Sequence, residues 1–167
     1  MLITFTVRNQ NINDITQIIE IYQQAFAEPP WNEVWTKEQV VEDLTYAKAQ
    51  KNSIILVAEL HQKIVGFTWG YELPIDKFPF LKKIVQATAN YMDEIAIDPT
   101  IRMNGVGKYL GTEYLKRAQN QVILRTDINN QASMNLFQSL GFTPLQKDGT
   151  TIFDPVYPTR IYLRQVR

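Results

Sequence analysis

The chain contains no cysteine, and its only histidine among 167 residues is His61. The first absence removes disulfides, thiol nucleophiles and cysteine-bound metals together. The second leaves too few imidazoles for a histidine metal centre, so no metal is expected. A dominant charge is missing too: Lys plus Arg and Asp plus Glu are 17 each, for a formal net charge of zero. Such a balance argues against nucleic acid as the main partner. No apolar run approaches the roughly 20 residues of a membrane span, and the N-terminus lacks a signal-peptide pattern. These absences point to a cytoplasmic protein, bound neither to nucleic acid nor to a membrane, that acts on something small.

What is present is ordinary for a globule: 45% hydrophobic and 20% charged residues, with enough chain for one domain over 1–167 and a real core. Residues 2–8 alternate like a half-buried strand,. Ile15, Ile18, Ile19, Tyr22, Ala25 and Phe26 follow at helical spacing, and Pro29-Pro30 ends that helix,. Thr36-Lys-Glu-Gln39 matches a capping box and opens a second helix,. Between the two, Trp31, Glu33 and Trp35 either line an acceptor pocket or plug the end of the core,. Residues 53–60 and 63–71 read as a hairpin turning at His61-Gln62,. Its second strand sets Val65, Phe67, Trp69 and Tyr71 on one face. The other face is small, with Gly66 and Gly70, and suits close approach by a helix or ligand,. Pro79 and the spacing of Phe80, Leu81, Ile84, Val85 and Thr88 predict a further helix, either a packed crossover or a lid,.

The organising stretch is Asp98 to Gly111. It follows a strand-like run, 92–97, and leads into a helix with Gly107, Leu110, Gly111, Tyr114, Leu115 and Ala118 on one stripe,. A strand, a turn bearing Gly105 and Gly107, and a helix start present unpaired N–H groups to an anion. No Gly-Lys-Ser/Thr is present, so the turn is not a P-loop,. A dinucleotide fingerprint fails as well, because Gly111 stands one residue out of register,. After that helix come an apolar strand at 122–126, a helix over about 130–140 ended by Gly141, a turn at Asp148-Gly149 and a last strand from Arg160,.

Strand, Asp-Pro, then Arg102-Met-Asn-Gly105-Val-Gly107 resembles the Arg/Gln-x-x-Gly-x-Gly/Ala signature of the GCN5-related N-acetyltransferases (GNAT). Asn130-Gln-Ala-Ser133, with Leu136-Phe137 and Leu140-Gly-Phe142, is similar to that family's second block. The resemblance implies an α/β fold: a mixed, mostly antiparallel sheet of about seven strands flanked by helices, splayed into a V between strands 4 and 5. It implies acetyl-CoA as acyl donor. Ile95, Ala96 and Ile97 would pair with the pantetheine arm. Arg102, Met103, Asn104, Gly105, Val106, Gly107 and Lys108 would hold the pyrophosphate, and Asn130 would approach from the next helix. The implied reaction is direct transfer to a primary amine of a small molecule, peptide or protein. Glu94 is the first base candidate, followed by Asp93 and then Tyr91; in an ideal strand Asp93 and Glu94 face opposite sides. A backbone N–H near Ile97 is the oxyanion candidate. Phe137 departs from the pattern, since many relatives place a proton-donating Tyr there. Tyr157 and Tyr162 are the substitute hydroxyls, and a non-catalytic acyl-CoA-binding module is the alternative function. Family analogy also raises a homodimer through the final strands.

Overall fold

The computed structural model describes residues 4–85, 87–102 and 104–166. Strand β1 (Thr6–Asn9) leads into helices α1 (Ile15–Ala27) and α2 (Lys37–Ala49). A hairpin follows, β2 (Ile54–Leu60) and β3 (Lys63–Glu72), then β4 (Ala89–Ile97), α3 (Val106–Arg117), β5 (Gln121–Asp127) and α4 (Gln131–Ser139). The chain ends with the short strands β6 (Thr143–Pro144), β7 (Gln146–Lys147) and β8 (Thr150–Thr151), and then β9 (Arg160–Gln165). Seven strands form one sheet in the order β1-β2-β3-β4-β5-β9-β6, and β4–β5 is the parallel pair. The mixed, mostly antiparallel sheet is therefore as expected.

Local chemistry sets most boundaries. Thr36 caps α2 by accepting from the Gln39 N–H, while Gln39 accepts from the Thr36 N–H. His61 and Gln62 both take positive φ, 49° and 64°, as a two-residue hairpin turn with strand-matched twist requires,. Gly141 stands at φ 85° behind α4 and closes that helix,. The strand expected over residues 2–8 begins at Thr6; residues 2 and 3 lie outside the described part.

The helices cover opposite faces. Under α1 and α2 lies a core built on Ile18, Tyr22, Val40, Leu44, Phe67, Trp69, Tyr91 and Ile123. Under α3 and α4 lies a second, with Leu56, Met92, Leu110, Tyr114, Leu124 and Phe137. The α3 stripe is as the spacing predicts, with Leu110, Gly111, Tyr114 and Leu115 buried. On β3, however, Val65 does not share a face with Phe67. A bulge between Ala58 and Glu59 of β2 leaves Val65 unopposed, and it packs under α3 while Ile64 joins Phe67 under α1,.

Among the described residues, the helix expected after Pro79 is absent. Residues 75–77 and 79–81 form two 3-10 turns instead. Phe78 packs on Tyr91 with ring centroids 5.3 Å apart, and Phe80 on Tyr162 at 5.4 Å. Aromatic anchoring to the sheet, with prolines at 74 and 79, replaces helical continuity here.

The small face of β3 is explained by α3. A Cβ at Gly70 would run into the Tyr114 hydroxyl and the Tyr91 carbonyl oxygen, and would lie 2.9 Å from the Met92 Cα. That hydroxyl donates to the Asn90 side chain in a buried bond. Gly70→Ala should therefore destabilise the fold by about 1–3 kcal/mol, lowering the melting temperature by roughly 3–10 °C. An unchanged thermal midpoint would contradict this close approach.

Candidate active site

The site follows from where pairing stops. Strands β4 and β5 are in register only from Ala89–Met92 against Gln121–Leu124. Beyond Met92, β4 stays with β3 as far as Ile97, while β5 stays with β9 as far as Asp127. The two strands diverge, and a cleft of about 760 Å³ opens between them. It is lined by Tyr91 to Ile97 on one arm, Leu124 to Thr126 on the other, the start of α3, residues of α4, and the 25–35 segment.

The β4 arm carries an irregularity that alternation does not foretell. Trp69 faces Glu94 and Gly70 faces Met92, so Asp93 is an extra, unopposed residue,. The bulge turns both carboxylates to the α1 side, in place of the opposite faces of an ideal strand. Asp93 accepts from the Tyr71 hydroxyl at 2.9 Å, and Glu94 from the Tyr22 hydroxyl at 3.3 Å. The same Tyr22 hydroxyl lies 3.2 Å from Asp43 of α2. One phenolic proton cannot serve two carboxylates, so the contact is complete only when Asp43 or Glu94 is itself protonated. Burial pushes Glu94 well above the ordinary carboxylate range, with Asp93 and Asp43 adding to the rise and Tyr22 opposing it. Burial raises Asp93 as well, against the Tyr71 bond, and raises Asp43 against the Tyr22 bond. The Trp69 indole N–H is buried without a hydrogen-bond partner, close enough to Asp93 to favour its charged form.

Further along β4, the Asp98 N–H donates to the Val65 carbonyl at 2.9 Å. Alternation then gives the backbone groups of Ala96 to β3 and turns those of Ile95 and Ile97 to the open arm. Ala96 lines the cleft, but its backbone groups belong to the sheet.

At the start of α3, Gly105 takes φ 80°, a left-handed conformation that glycine adopts without strain,. Among the described residues, no side chain caps this helix. Its first N–H groups therefore point at open space, and a Cβ built on Gly105 would touch nothing within 4 Å,. Arg102, Val106, Gly107 and Lys108 line the same wall. Arg102 is ion-paired to Glu28, which ends α1. The Asn104 amide turns back onto the Ile101 carbonyl at 3.1 Å, and Asn104 is not among the lining residues. Met103 lies outside the described residues. Asn130 caps α4 by accepting from the Ser133 N–H at 3.0 Å and also lines the cleft, so both of its expected roles are sterically compatible.

The opposite end is aromatic and charged. Trp31, Glu33 and Trp35 all line the cleft, and Trp35 also packs edge-on against Tyr22 at 5.1 Å. Its indole donates to Glu33 at 2.8 Å. Arg160 lies over the Trp31 ring at 5.2 Å and the Tyr157 ring at 4.2 Å, and reaches Glu33 at 3.3 Å. Arg125 pairs with Asp154 at 2.9 Å. Burial works to raise Asp154, yet Arg125, the Tyr162 hydroxyl and the N–H groups of Tyr157 and Val156 bring it down to about 2. No described residue of 73–88 lines the cleft, so that segment is a packed crossover and not a lid.

Residues that the sequence did not single out complete the site: Tyr22, Asp43, Arg125 and Arg160. A visible signal existed for Arg125, a charge inside the apolar run Val122-Ile-Leu-Arg-Thr. Phe137 is buried against Phe142 and lines the cleft without a hydroxyl. Of the substitute hydroxyls, Tyr157 lines the cleft while Tyr162 is buried and donates to Asp154 at 2.7 Å. Tyr91 also lines the cleft, and burial raises its phenol, followed by the effect of Asp93.

The cleft is thus framed by a splayed mixed sheet whose β4 arm carries buried carboxylates and leads into an anion cradle at the start of α3. The sequence model of the Acetyltransferase (GNAT) family matches residues 15–142, and the chain belongs to that family. A mycothiol acetyltransferase from Thermomonospora curvata is 26% identical over 137 residues, covering 78% of this chain. The chain spans 41% of the length of that relative. The fold is shared with a ribosomal-protein-alanine N-acetyltransferase from Brucella melitensis, with a TM-score of 0.72 at 18% identity, covering 97% of this chain and 99% of that one. It is shared too with a GNAT-superfamily phosphinothricin acetyltransferase from Sinorhizobium meliloti in complex with acetyl-CoA, with a TM-score of 0.69 at 18% identity over 98% and 88% of the two chains. No helix among the described residues is long and apolar enough to cross a membrane.

The raised Glu94 has a cost in stability. Because it holds its proton to higher pH folded than unfolded, the folded state binds more protons between those two values. Stability therefore falls as pH rises through that window and stays lower above it. Glu94→Gln should melt higher than wild type at pH 8, by on the order of 1 kcal/mol or roughly 2–4 °C, with the difference vanishing below about pH 4. A variant that melts lower at pH 8 would show that the charge is compensated in the fold.

Proposed function

We propose that this protein, as one domain, is an N-acetyltransferase that moves an acetyl group from acetyl-CoA to a primary amine of a small molecule, peptide or protein. The observation that carries the proposal is the pairing, in one cleft, of an uncapped glycine-led helix start with a free β4 edge and a raised carboxylate. The first two fit acetyl-CoA by their chemistry. Unpaired N–H groups at Gly105 to Lys108, with Arg102 and Lys108 beside them, would hold a pyrophosphate,. The edge groups of Ile95 and Ile97 would hold an amide-bearing arm as an added strand does. Bound there, acetyl-CoA supplies a thioester whose acetyl carbon is the electrophile.

The residues of the chain do the rest. An amine reacts only after losing its ammonium proton, and Glu94 is the base we assign: its raised pKa brings it closer to working pH than an ordinary carboxylate,. Tyr22 hands the proton on, since it bridges Glu94 to Asp43 and α2. Asp93, after burial, helps to keep Glu94 raised and is the second carboxylate of the pair. Tyr91 is unsuited to be a base, because its phenol is held protonated. Tyr157, which lines the cleft, is the hydroxyl we assign to give a proton to a leaving thiolate where Phe137 cannot. The outward N–H groups of Ile95 and Ile97 are the donors available to polarise a carbonyl.

The missing hydroxyl at 137 is the observation that favours the second reading, a module that binds acyl-CoA without turnover, and one set of measurements separates the two. Acetyl-CoA at about 100 times its dissociation constant should stabilise the fold by ~2.7 kcal/mol, roughly 5–10 °C. Free CoA should then appear with an amine panel, and Glu94→Gln should lower kcat/KM by about 10²–10⁴-fold while keeping the thermal shift. Stabilisation by acetyl-CoA with no release across the panel would support the binding module. A shift with NAD and none with acetyl-CoA would overturn the cofactor assignment.

A further inference from the structure

The acceptor end of the cleft has two poles of opposite sign on one face of the sheet. Arg125 of β5 lies opposite Tyr162 of β9, and Arg160 stands two residues from Tyr162 on that same strand. Both arginines therefore share a face as diagonal neighbours. Tyr162 and Ile123 place that face under α1, the side to which the β4 bulge turns Asp93 and Glu94. Across the open V, two guanidiniums thus stand opposite two carboxylates.

Each arginine has one carboxylate against it, yet most of its donors are uncommitted among the described residues. Among the described residues, Arg160 engages one of its five donors, in the 3.3 Å contact to Glu33, although its side chain is 18% exposed,. Glu33 is shared with the Trp35 indole. Arg125, 29% exposed, gives one nitrogen to Asp154, which also accepts from Tyr162 and from two backbone N–H groups. The Tyr157 ring lies under both guanidiniums, at 5.6 Å from Arg125 and 4.2 Å from Arg160, and Trp31 faces Arg160 as well. Cation–π contact of this kind holds a guanidinium in place without using its N–H donors. Donors that reach the cleft and have no protein acceptor are free to take an oxyanion,.

We propose that the acceptor is an amine bearing a carboxylate a few atoms away, a free amino acid or a compound like one. Its amine faces Asp93 and Glu94, and its carboxylate faces Arg160 and Arg125. The proposal rests on the acetyl-transfer reading above and narrows it. A bare polyamine would set its second cation against the arginines. A lysine side chain or a peptide N-terminus has no carboxylate next to its amine.

The test is kcat/KM, by free-CoA release, for matched sets: alanine, leucine and phenylalanine, each with its amide and its decarboxylated amine. The amides have the more weakly basic amine, which favours them chemically, so preference for the acid must come from the site. The acid should be preferred by about 10–100-fold over both partners. In Arg160→Met, which keeps a long side chain between the rings, that ratio should collapse toward one. Arg160→Lys, a charge without the fork, should keep part of it and serves if the Met variant does not fold. The acetyl-CoA thermal shift of each variant reports an intact cofactor site. Equal or better turnover of the decarboxylated amine, the same ratio in Arg160→Met, or no release with any set despite an acetyl-CoA shift would overturn the inference and leave the cofactor assignment standing. Absence of the acetyl-CoA shift in the wild type would instead remove the underlying acetyl-transfer reading, and this inference with it.

Discussion

Everything in this molecule that bears on function depends on the point where two parallel strands part. Met92 and Leu124 are the last partners between β4 and β5. Beyond them each strand keeps its outer neighbour and loses its inner one, which leaves edge backbone groups without partners in the middle of a protein. Such groups are costly unless something else takes them up. In most sheets an exposed edge is a hazard; here it borders a cleft already walled by α3, α4 and the 25–35 segment.

The β4 arm of the V changes electrostatics along its length. Its far end leads into an uncapped helix start with Arg102 and Lys108, which suits phosphate. Nearer the split it holds Asp93 and Glu94, both raised by burial, beside a protonated tyrosine bridge to Asp43. Keeping carboxylates buried without a cation against them works against stability, and the fold tolerates it because a well-packed aromatic core surrounds them. Tyr22 stacks on Phe67 and Trp69 at 5.9 and 5.8 Å while its hydroxyl serves two acids. One side chain is thus both packing and chemistry.

Features written by local rules were legible in the sequence. The capping box at Thr36, the two-residue turn at His61-Gln62, the α3 stripe and the glycine-led helix start all depend on neighbours a few residues away, and each is found where expected. The carboxylates were legible as residues but not as a pair. Their shared face comes from a bulge set by pairing with Trp69 and Gly70, which no window on β4 contains. The same holds for Val65, moved by a bulge against β2. The segment after Pro79 misled because helical spacing over so short a run is also what aromatic anchoring produces. Arg160 stood unmarked at the head of a strand; only the distant Trp31 and Glu33 give it a role.

The central claim is that acetyl-CoA lies in the V with its pyrophosphate on the first turn of α3 and its arm along the far end of β4. The most direct measurement is a backbone-amide NMR titration of the labelled protein with acetyl-CoA. The largest shifts should fall on Gly105 to Lys108 and on Ile95 and Ile97, and should saturate together. Saturable binding that moves other amides and leaves these six in place would contradict it.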